Sequence, residues 1–255
     1  MHWIWLCGGA FLAGLVDSVV GGGGLIQTPT LLLWLPPSLS SSIATVFGTN
    51  KLASLCGTSV ATLQYARQVR IPWRTAGPMA GTAFIASFVG ARAVAYFRSE
   101  VLRPLVFFLL VAVAIYTYWK KDLGSLHRPK LERTAEKAAA LITGCCLGFY
   151  DGFFGPGTGS FLIFIFVGVF GFDFLAASGS AKAVNLATNL AAVTYFAGSD
   201  HIAYQYAIPM AAFNMLGSAT GSRLAILRGS RFVRRLFLAV VGAILLRLGW
   251  DLLKR

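Results

Sequence analysis

Acidic residues are scarce in this chain, which has nine Asp and Glu against 22 Lys and Arg among its 255 residues. Charged residues make up only 12% of the sequence, too few for the surface of a soluble domain. The four cysteines lie in apolar segments, without the spacing of metal ligands or of a disulfide framework. We therefore expect no metal, no cofactor and no soluble domain.

Hydrophobic residues are abundant instead, at 56% of the chain, and the mean hydropathy is +0.70. This composition is typical of a multi-pass membrane protein. A net charge of +13 could indicate nucleic-acid binding, but the basic residues occur in short loops between apolar segments, where the positive-inside rule accounts for them. The sequence therefore predicts membrane lipids, and no nucleic acid, around the protein.

A glycine-rich break interrupts a hydrophobic segment once in each half of the chain. The first break lies in GLVDSVVGGGGLIQTP, residues 14–29, and the second in GFYDGFFGPGTGSF, residues 148–161. Glycine costs about 1 kcal/mol per helical position relative to alanine, and Pro156 has no backbone donor. We expect a re-entrant hairpin of two part-length helices at each break, near 3–35 and 138–170. Freed backbone groups at membrane depth must be buried in protein or line a cavity.

Three full-length apolar segments follow each hairpin. We expect them at about 41–66, 72–97 and 101–119 in the first half, and at about 174–197, 202–227 and 232–253 in the second. These segments divide the chain into an N-terminal transmembrane repeat (1–120), a basic linker (121–137) and a C-terminal transmembrane repeat (138–255).

The two halves match when they are aligned by offset. Residues 134 positions apart pair Asp17 with Asp151, and residues 131 positions apart pair Lys51 with Lys182. If each half crosses the membrane three times, the second repeat starts on the opposite face and is inverted relative to the first. This topology places 14 Lys and Arg on one face and six on the other. The positive-inside rule makes the more basic face cytoplasmic. The expected fold is thus all-α and polytopic, with two inverted repeats, each a hairpin plus three transmembrane helices. Secondary transporters share this architecture.

Four ionisable residues, Asp17, Lys51, Asp151 and Lys182, lie well inside these apolar segments. Each buried charge costs roughly 2.5 to 3.5 kcal/mol on insertion scales, so something must compensate them. One alternative is a structural Lys–Asp ion pair; the other, which we favour for the lysines, is a hydrated anion site. Asp17 and Asp151 could carry a coupling proton, because burial disfavours the ionised form, or could cap the adjoining glycine turns.

Polar residues extend from each lysine along one helix face, and a half-helix starts after each glycine run with its positive dipole end. We therefore expect a small anion to be held from both halves. The candidate substrate-binding residues are Lys51, Lys182, Asn50, Ser54, Asn185, Asn189, Gly23, Gly24, Gly157, Thr158 and Gly159. Arg92 and Arg223 are candidate gating residues, although arginines that snorkel to the headgroups would look the same.

At these motifs the sequence resembles the TauE/SafE sulfite exporter family, also called the TSUP anion permeases. The resemblance rests on the two glycine motifs, on GTNKL at residues 48–52 and on AKAVNLATN at residues 181–189, and it covers essentially the whole chain. It implies a transporter of the bacterial inner membrane that moves sulfite or sulfur-containing organic anions such as sulfonates and sulfoacetate. The first glycine run lacks the proline of the second, so the two half-sites need not be equivalent.

Two other functions fit parts of the sequence. An anion channel would use the same cavity with both ends open together. An intramembrane aspartic protease would use Asp17 and Asp151 as a carboxyl pair, but neither aspartate follows the Gly-x-Gly of that family, and a protease has no need of the lysine-bearing faces. The sequence gives no indication of the oligomeric state. We therefore expect a non-enzymatic membrane protein that binds a small anion.

Overall fold

The computed structural model describes residues 2–94 and 131–253, with side chains to residue 240, and within these residues it contains helices and no strands. The predicted segment at 101–119 and most of the linker lie outside the described residues. In chain order, the helices are α1 (His2–Val20), α2 (Gly24–Trp34), α3 (Pro37–Ser40), α4 (Ile43–Gln68), α5 (Trp73–Ala93), α6 (Arg133–Phe153), α7 (Thr158–Gly168), α8 (Phe174–Gly198) and α9 (Tyr204–Leu253).

Both predicted helix breaks are present. The chain leaves the helical conformation through Gly21 and Gly22 in the first half and through Gly155 and Gly157 in the second, all with φ between 76° and 90°, a region that residues with a Cβ rarely adopt. The rings of Trp5 and Trp34 stack with centroids 5.4 Å apart, so the start of α1 lies beside the end of α2. The α1–α2 pair is therefore a hairpin that returns to its own starting end.

Two boundaries differ from the sequence-based prediction. Helix α6 begins at Arg133, so the last five residues of the predicted basic linker are helical. The predicted segments 202–227 and 232–253 form one element, α9, interrupted by the non-helical Gly229 (φ 71°, ψ −173°). The Ser230 hydroxyl donates to the Asp173 carboxylate at 2.8 Å, which ties the kink to the start of α8.

Each hairpin packs against a long helix from the other half of the chain. Helix α1 packs against α9, and α6 packs against α5. The backbones approach closely at glycines, because a Cβ on Gly217 would lie 2.0 Å from the Phe11 carbonyl oxygen and one on Gly152 would lie 1.9 Å from that of Ser87. Helices α4 and α8, which carry the two lysines, pack against each other. The packing is thus reciprocal between the halves.

Among the described residues, many large apolar side chains are exposed and many polar ones are buried. Ile85 and Ile142 are 67% and 64% exposed, whereas Lys51, Lys182 and many Ser, Thr and Asn side chains are buried. Among the described residues, α1 alone has both the length and the mean hydropathy, 1.7, to cross a membrane by composition. The buried polar residues of α4 and α8 lower the hydropathy of those helices, although Leu63 and Leu190 are exposed on them.

Candidate functional site

The two glycine breaks touch each other. A Cβ on Gly21 would lie 2.3 Å from the carbonyl carbon of Gly159, so only glycine fits at this contact. The hydroxyl of Ser160 donates to the carbonyl oxygen of Val20 at 3.1 Å. The tips of the two hairpins therefore meet backbone to backbone, and everything described next lies around this meeting point.

The first ion pair of the site joins α4 to the second hairpin. Lys51 Nζ lies 2.7 Å from a carboxylate oxygen of Asp151 and also donates to Asn189 Oδ1 at 3.1 Å. The Lys51 and Asp151 side chains are each 6% exposed. Since Lys51 belongs to the first half and Asp151 to the second, this pair bridges the halves.

The second ion pair runs the opposite way, from α8 to the first hairpin. Lys182 Nζ lies 2.6 Å from Asp17 Oδ2, while the other oxygen of Asp17 accepts from the Gly23 N–H at 3.2 Å. Asp17 thus pairs with a lysine, as the ion-pair alternative predicts, and also caps the glycine turn; the proposed role of Asp17 as a proton carrier stays a prediction. The Lys182 side chain is fully buried, and that of Asp17 is 22% exposed.

A cavity of about 30 Å³ lies between the pairs, with room for about two water molecules or a small anion. Its lining consists of polar side chains from α4, α8 and the ends of α1 and α6, together with glycines from both breaks. The lining residues are Asp17, Gly22, Gly24, Asn50, Lys51, Ser54, Asp151, Gly155, Gly157, Gly159, Asn185 and Asn189. The described structure thus brings residues of both halves to one polar space.

Most predicted substrate-binding residues line this cavity, but three do not. Lys182 is not a lining residue and is connected to the cavity through its ion pair with Asp17, which is one. Gly23 binds Asp17, and the Thr158 hydroxyl donates to the Gly155 carbonyl oxygen at 2.8 Å. These three residues shape the lining without forming part of it.

Two lining residues, Gly22 and Gly155, were missed by the sequence reasoning. Both have positive φ, so their position in the glycine runs was the available signal. Arg92 and Arg223, the gating candidates, are exposed and do not line the cavity. Their exposure fits the alternative of an arginine at the headgroup level.

The charge of the site differs from what the sequence predicted. Two lysines were expected to make the cavity positive, but each has a carboxylate partner, so the two pairs carry no net charge. The starts of α2 and α7 remain as positive dipole ends, since the first N–H groups of a helix lack intrahelical acceptors. Among the described residues, the side-chain oxygens of Asn50 and Asn185 are buried without a hydrogen-bond partner. The cavity therefore has unpartnered hydrogen-bond acceptors, which a water molecule or another donor would satisfy.

Comparisons with known proteins agree over nearly the whole chain. The family described as Sulfite exporter TauE/SafE matches residues 6–248. A probable membrane transporter protein of Sinorhizobium sp, ORF9, is 34% identical over 95% of this chain and 90% of its own length. The probable membrane transporter protein YfcA of Escherichia coli is 32% identical over 95% of this chain and 87% of its own. No solved structure gives a significant match.

Proposed function

Because the chain belongs to the TauE/SafE sulfite exporter family of membrane transporters, we propose that it transports small anions. The anions pass through the cavity between its two halves. The anions are sulfite or sulfur-containing organic anions such as sulfonates and sulfoacetate. The observation that supports this best is the pair of Lys–Asp contacts that cross between the halves on either side of one small polar cavity. The protein is a transporter and not an enzyme.

The proposed topology is that of inverted repeats in a bacterial inner membrane. Reciprocal packing of each hairpin on a helix of the other half supports two equivalent repeats, and the stacked Trp5 and Trp34 rings support a re-entrant first hairpin. The basic segments at 67–74, around the end of α4, and at 223–235, around the Gly229 kink of α9, lie on the cytoplasmic face under the positive-inside rule. Alternating access then consists of movement of the hairpins about a central site.

The anion is held by uncharged donors and helix dipoles. The amides of Asn50 and Asn185, which line the cavity, provide side-chain N–H groups. The N–H groups of Leu25 and Thr158 already donate to the carbonyl oxygens of Gly22 and Gly155. The backbone donors left for the anion are therefore those of Gly24 and Gly159. Lys51 contributes an ammonium group whose charge Asp151 balances. A space of about 30 Å³ suits sulfite, with its four non-hydrogen atoms, and the larger sulfonates and sulfoacetate require the cavity to widen as the hairpins move.

Protons are the coupling ions in this proposal. Protonation of Asp17 would leave the Lys182 ammonium without a counter-charge next to the cavity, and an anion would then supply the missing negative charge. Because this coupling is reciprocal, a bound anion in turn favours the protonated form of the Asp17 carboxyl group. In the other ion pair, protonation of Asp151 would likewise leave the Lys51 ammonium group free to bind an anion. A proton and an anion would therefore move together.

The test is a counterflow experiment in proteoliposomes. Vesicles loaded with unlabelled sulfite should accumulate a trace of radiolabelled sulfite above equilibrium, because a carrier exchanges one anion for another. The exposed control variant Gly81→Ala, far from other side chains, should behave like the parent protein. A channel would dissipate the label gradient without accumulation, and the absence of any sulfite or sulfonate exchange would reject the proposed substrate class.

A further inference from the structure

Beyond the lining of the cavity, α4 and α8 carry different kinds of buried or half-buried side chain at repeat-related positions. Three residues that carry hydroxyl groups, Thr62, Tyr65 and Ser178, are matched 131 positions away by Val193, Phe196 and Phe47. We call the first set the hydroxyl seam and the second set the apolar plug. All six side chains come from α4 and α8, the helices that carry the paired lysines.

The hydroxyl seam lies at the end of the first half-helix. Tyr65 donates to the Ser18 carbonyl oxygen at 2.9 Å, and Ser178 donates to that of Val19 at 2.8 Å. Both carbonyls belong to the last turn of α1, where intrahelical donors run out. Thr62, on the same face of α4 as Tyr65, has a buried hydroxyl without a partner among the described residues. Water could replace each of these contacts.

The apolar plug has no such exchangeable groups. Phe47 and Phe196 belong to one buried apolar cluster with Phe153, and Val193 packs against it. The Phe47 ring also meets that of Phe154 edge-on, with centroids 6.2 Å apart. Separation of these side chains would expose apolar surface to water, which is unfavourable in proportion to the area exposed. The Tyr65 ring also lies in a buried apolar cluster, so the seam differs from the plug in its hydroxyl groups, which can exchange a carbonyl partner for water.

The two aspartates show the same asymmetry independently. Asp17, which pairs with Lys182 one helical turn from Ser178, has a 22% exposed side chain. Asp151, which pairs with Lys51 one turn from Phe47, has a 6% exposed side chain. The carboxylate beside the seam is therefore the more exposed of the two, while its lysine partner is fully buried.

The seam and the plug also point to different faces of the protein. Tyr65 is followed by the end of α4 at Gln68 and by the basic loop at 67–74, and Ser178 lies near the start of α8. Phe196 lies at the opposite end of α8, and Phe47 near the start of α4. The seam is thus on the side of the basic loops.

From these observations we propose that the hydroxyl seam is the water-filled route between the cavity and the basic face, and that the apolar plug is the tighter closure at the other end. This inference rests on the proposed transport function and adds the side to which the cavity opens more readily. The cavity then exchanges substrate and protons more readily with the solution on the basic face than with the solution on the other face. The route passes Thr62, Tyr65 and Ser178 and then Asp17.

Cysteine labelling tests the inference with repeat-matched variants. In a background with Cys7, Cys56, Cys145 and Cys146 replaced by alanine, the single variants Thr62→Cys and Val193→Cys are exposed to a negatively charged, membrane-impermeant methanethiosulfonate. The membranes are opened so that the reagent reaches both faces. We expect the thiol at position 62 to react about tenfold faster or more, because labelling follows the population of hydrated local openings. Mass spectrometry of the purified protein measures the rates.

A second matched pair, Ser178→Cys and Phe47→Cys, guards against a variant that does not fold, and all four thiols should react fully in detergent-denatured protein. Equal rates within both pairs, or faster reaction of the plug positions, would overturn the inference. The cysteine-free parent is assayed for sulfite counterflow in parallel. Anion exchange with equal labelling rejects the seam alone, whereas faster seam labelling without exchange of any small anion rejects the proposed function alone.

Discussion

At the scale of single residues, the buried lysines are compensated by partners from the other half of the chain. Removal of an ammonium or a carboxylate from water costs several kcal/mol, and the contacts of Lys51 with Asp151 and Asn189 offset this cost. Such a pair is weak evidence for stability, because apolar residues often replace one without loss. The function of the pair therefore has to be separated from its contribution to folding.

Lys51→Met should destabilise the protein strongly, because Asp151 would remain as a buried charge without a partner. Loss of one member of a buried pair costs about 3 to 5 kcal/mol. The double variant Lys51→Met with Asp151→Asn should recover most of that stability and still lack anion exchange. Thermal unfolding of the detergent-purified proteins and counterflow measure the two effects. A double variant that exchanges anions at the parental rate would make the pair structural only.

The charged residues of the site could be predicted from the sequence, but their partners could not. A charge in an apolar segment is informative by itself, which is why Asp17, Lys51, Asp151 and Lys182 stood out. The offset alignment gave equivalent positions, and equivalence between repeats does not specify contact. The crossed pairing, and the connection of Lys182 to the cavity through Asp17, depend on how the halves pack.

At the scale of helices, glycine sets the distance between each hairpin and its supporting helix. Helices α1 and α9 approach so closely that no side chain fits at Gly217, and small residues of this kind are the common means of close helix contact in membranes. A hairpin and its supporting helix should consequently move as one body during transport.

Gly217→Ala should lower the melting temperature clearly, because its Cβ would lie 2.0 Å from the Phe11 carbonyl oxygen and α1 would have to shift. Gly81→Ala, also within a helix, has no atom within 4 Å of the added Cβ. It should be neutral or stabilise the protein by about 0.5 to 1 kcal/mol, from helix propensity alone. Unfolding curves of the two variants in the same detergent provide the comparison. Equal losses in both would contradict the proposed role of close packing.

Helix breaks were predictable because their causes are local. Runs of glycine and a proline act on the residues beside them, and α2 and α7 begin at Gly24 and Thr158, within the two predicted breaks. The start of α6 at Arg133 was missed because charge was taken as the sign of a linker. Residues 133–137 include good helix formers, and nothing local breaks a helix there.

At the scale of the whole molecule, proton and anion binding should be linked. A sulfonate, whose own charge is constant over the neutral and mildly acidic range, should bind more tightly as the pH falls. Protonation of Asp17 frees the Lys182 charge, so anion binding takes up a proton and gains from acid. Asp17→Asn should remove most of this pH dependence. Titration calorimetry in two buffers of different ionisation enthalpy measures the affinity and the proton uptake.

Constant sulfonate affinity across that pH range in the parent protein would contradict the linkage. A pH dependence that persists in Asp17→Asn but disappears in Asp151→Asn would assign the coupling to the other ion pair. The matched variants therefore locate the coupling carboxylate as well as test for one.

The backbone contact between Gly21 and Gly159 has a mechanical consequence. With no side chains between the tips, a displacement of one hairpin is transmitted directly to the other, since close-packed interiors transmit strain. The two hairpins should therefore move together about their contact at the centre of the protein. A methyl group added at Gly159 would lie 2.7 Å from Gly21 Cα and would push the two hairpin tips apart, so one substitution would impair the movement of both halves.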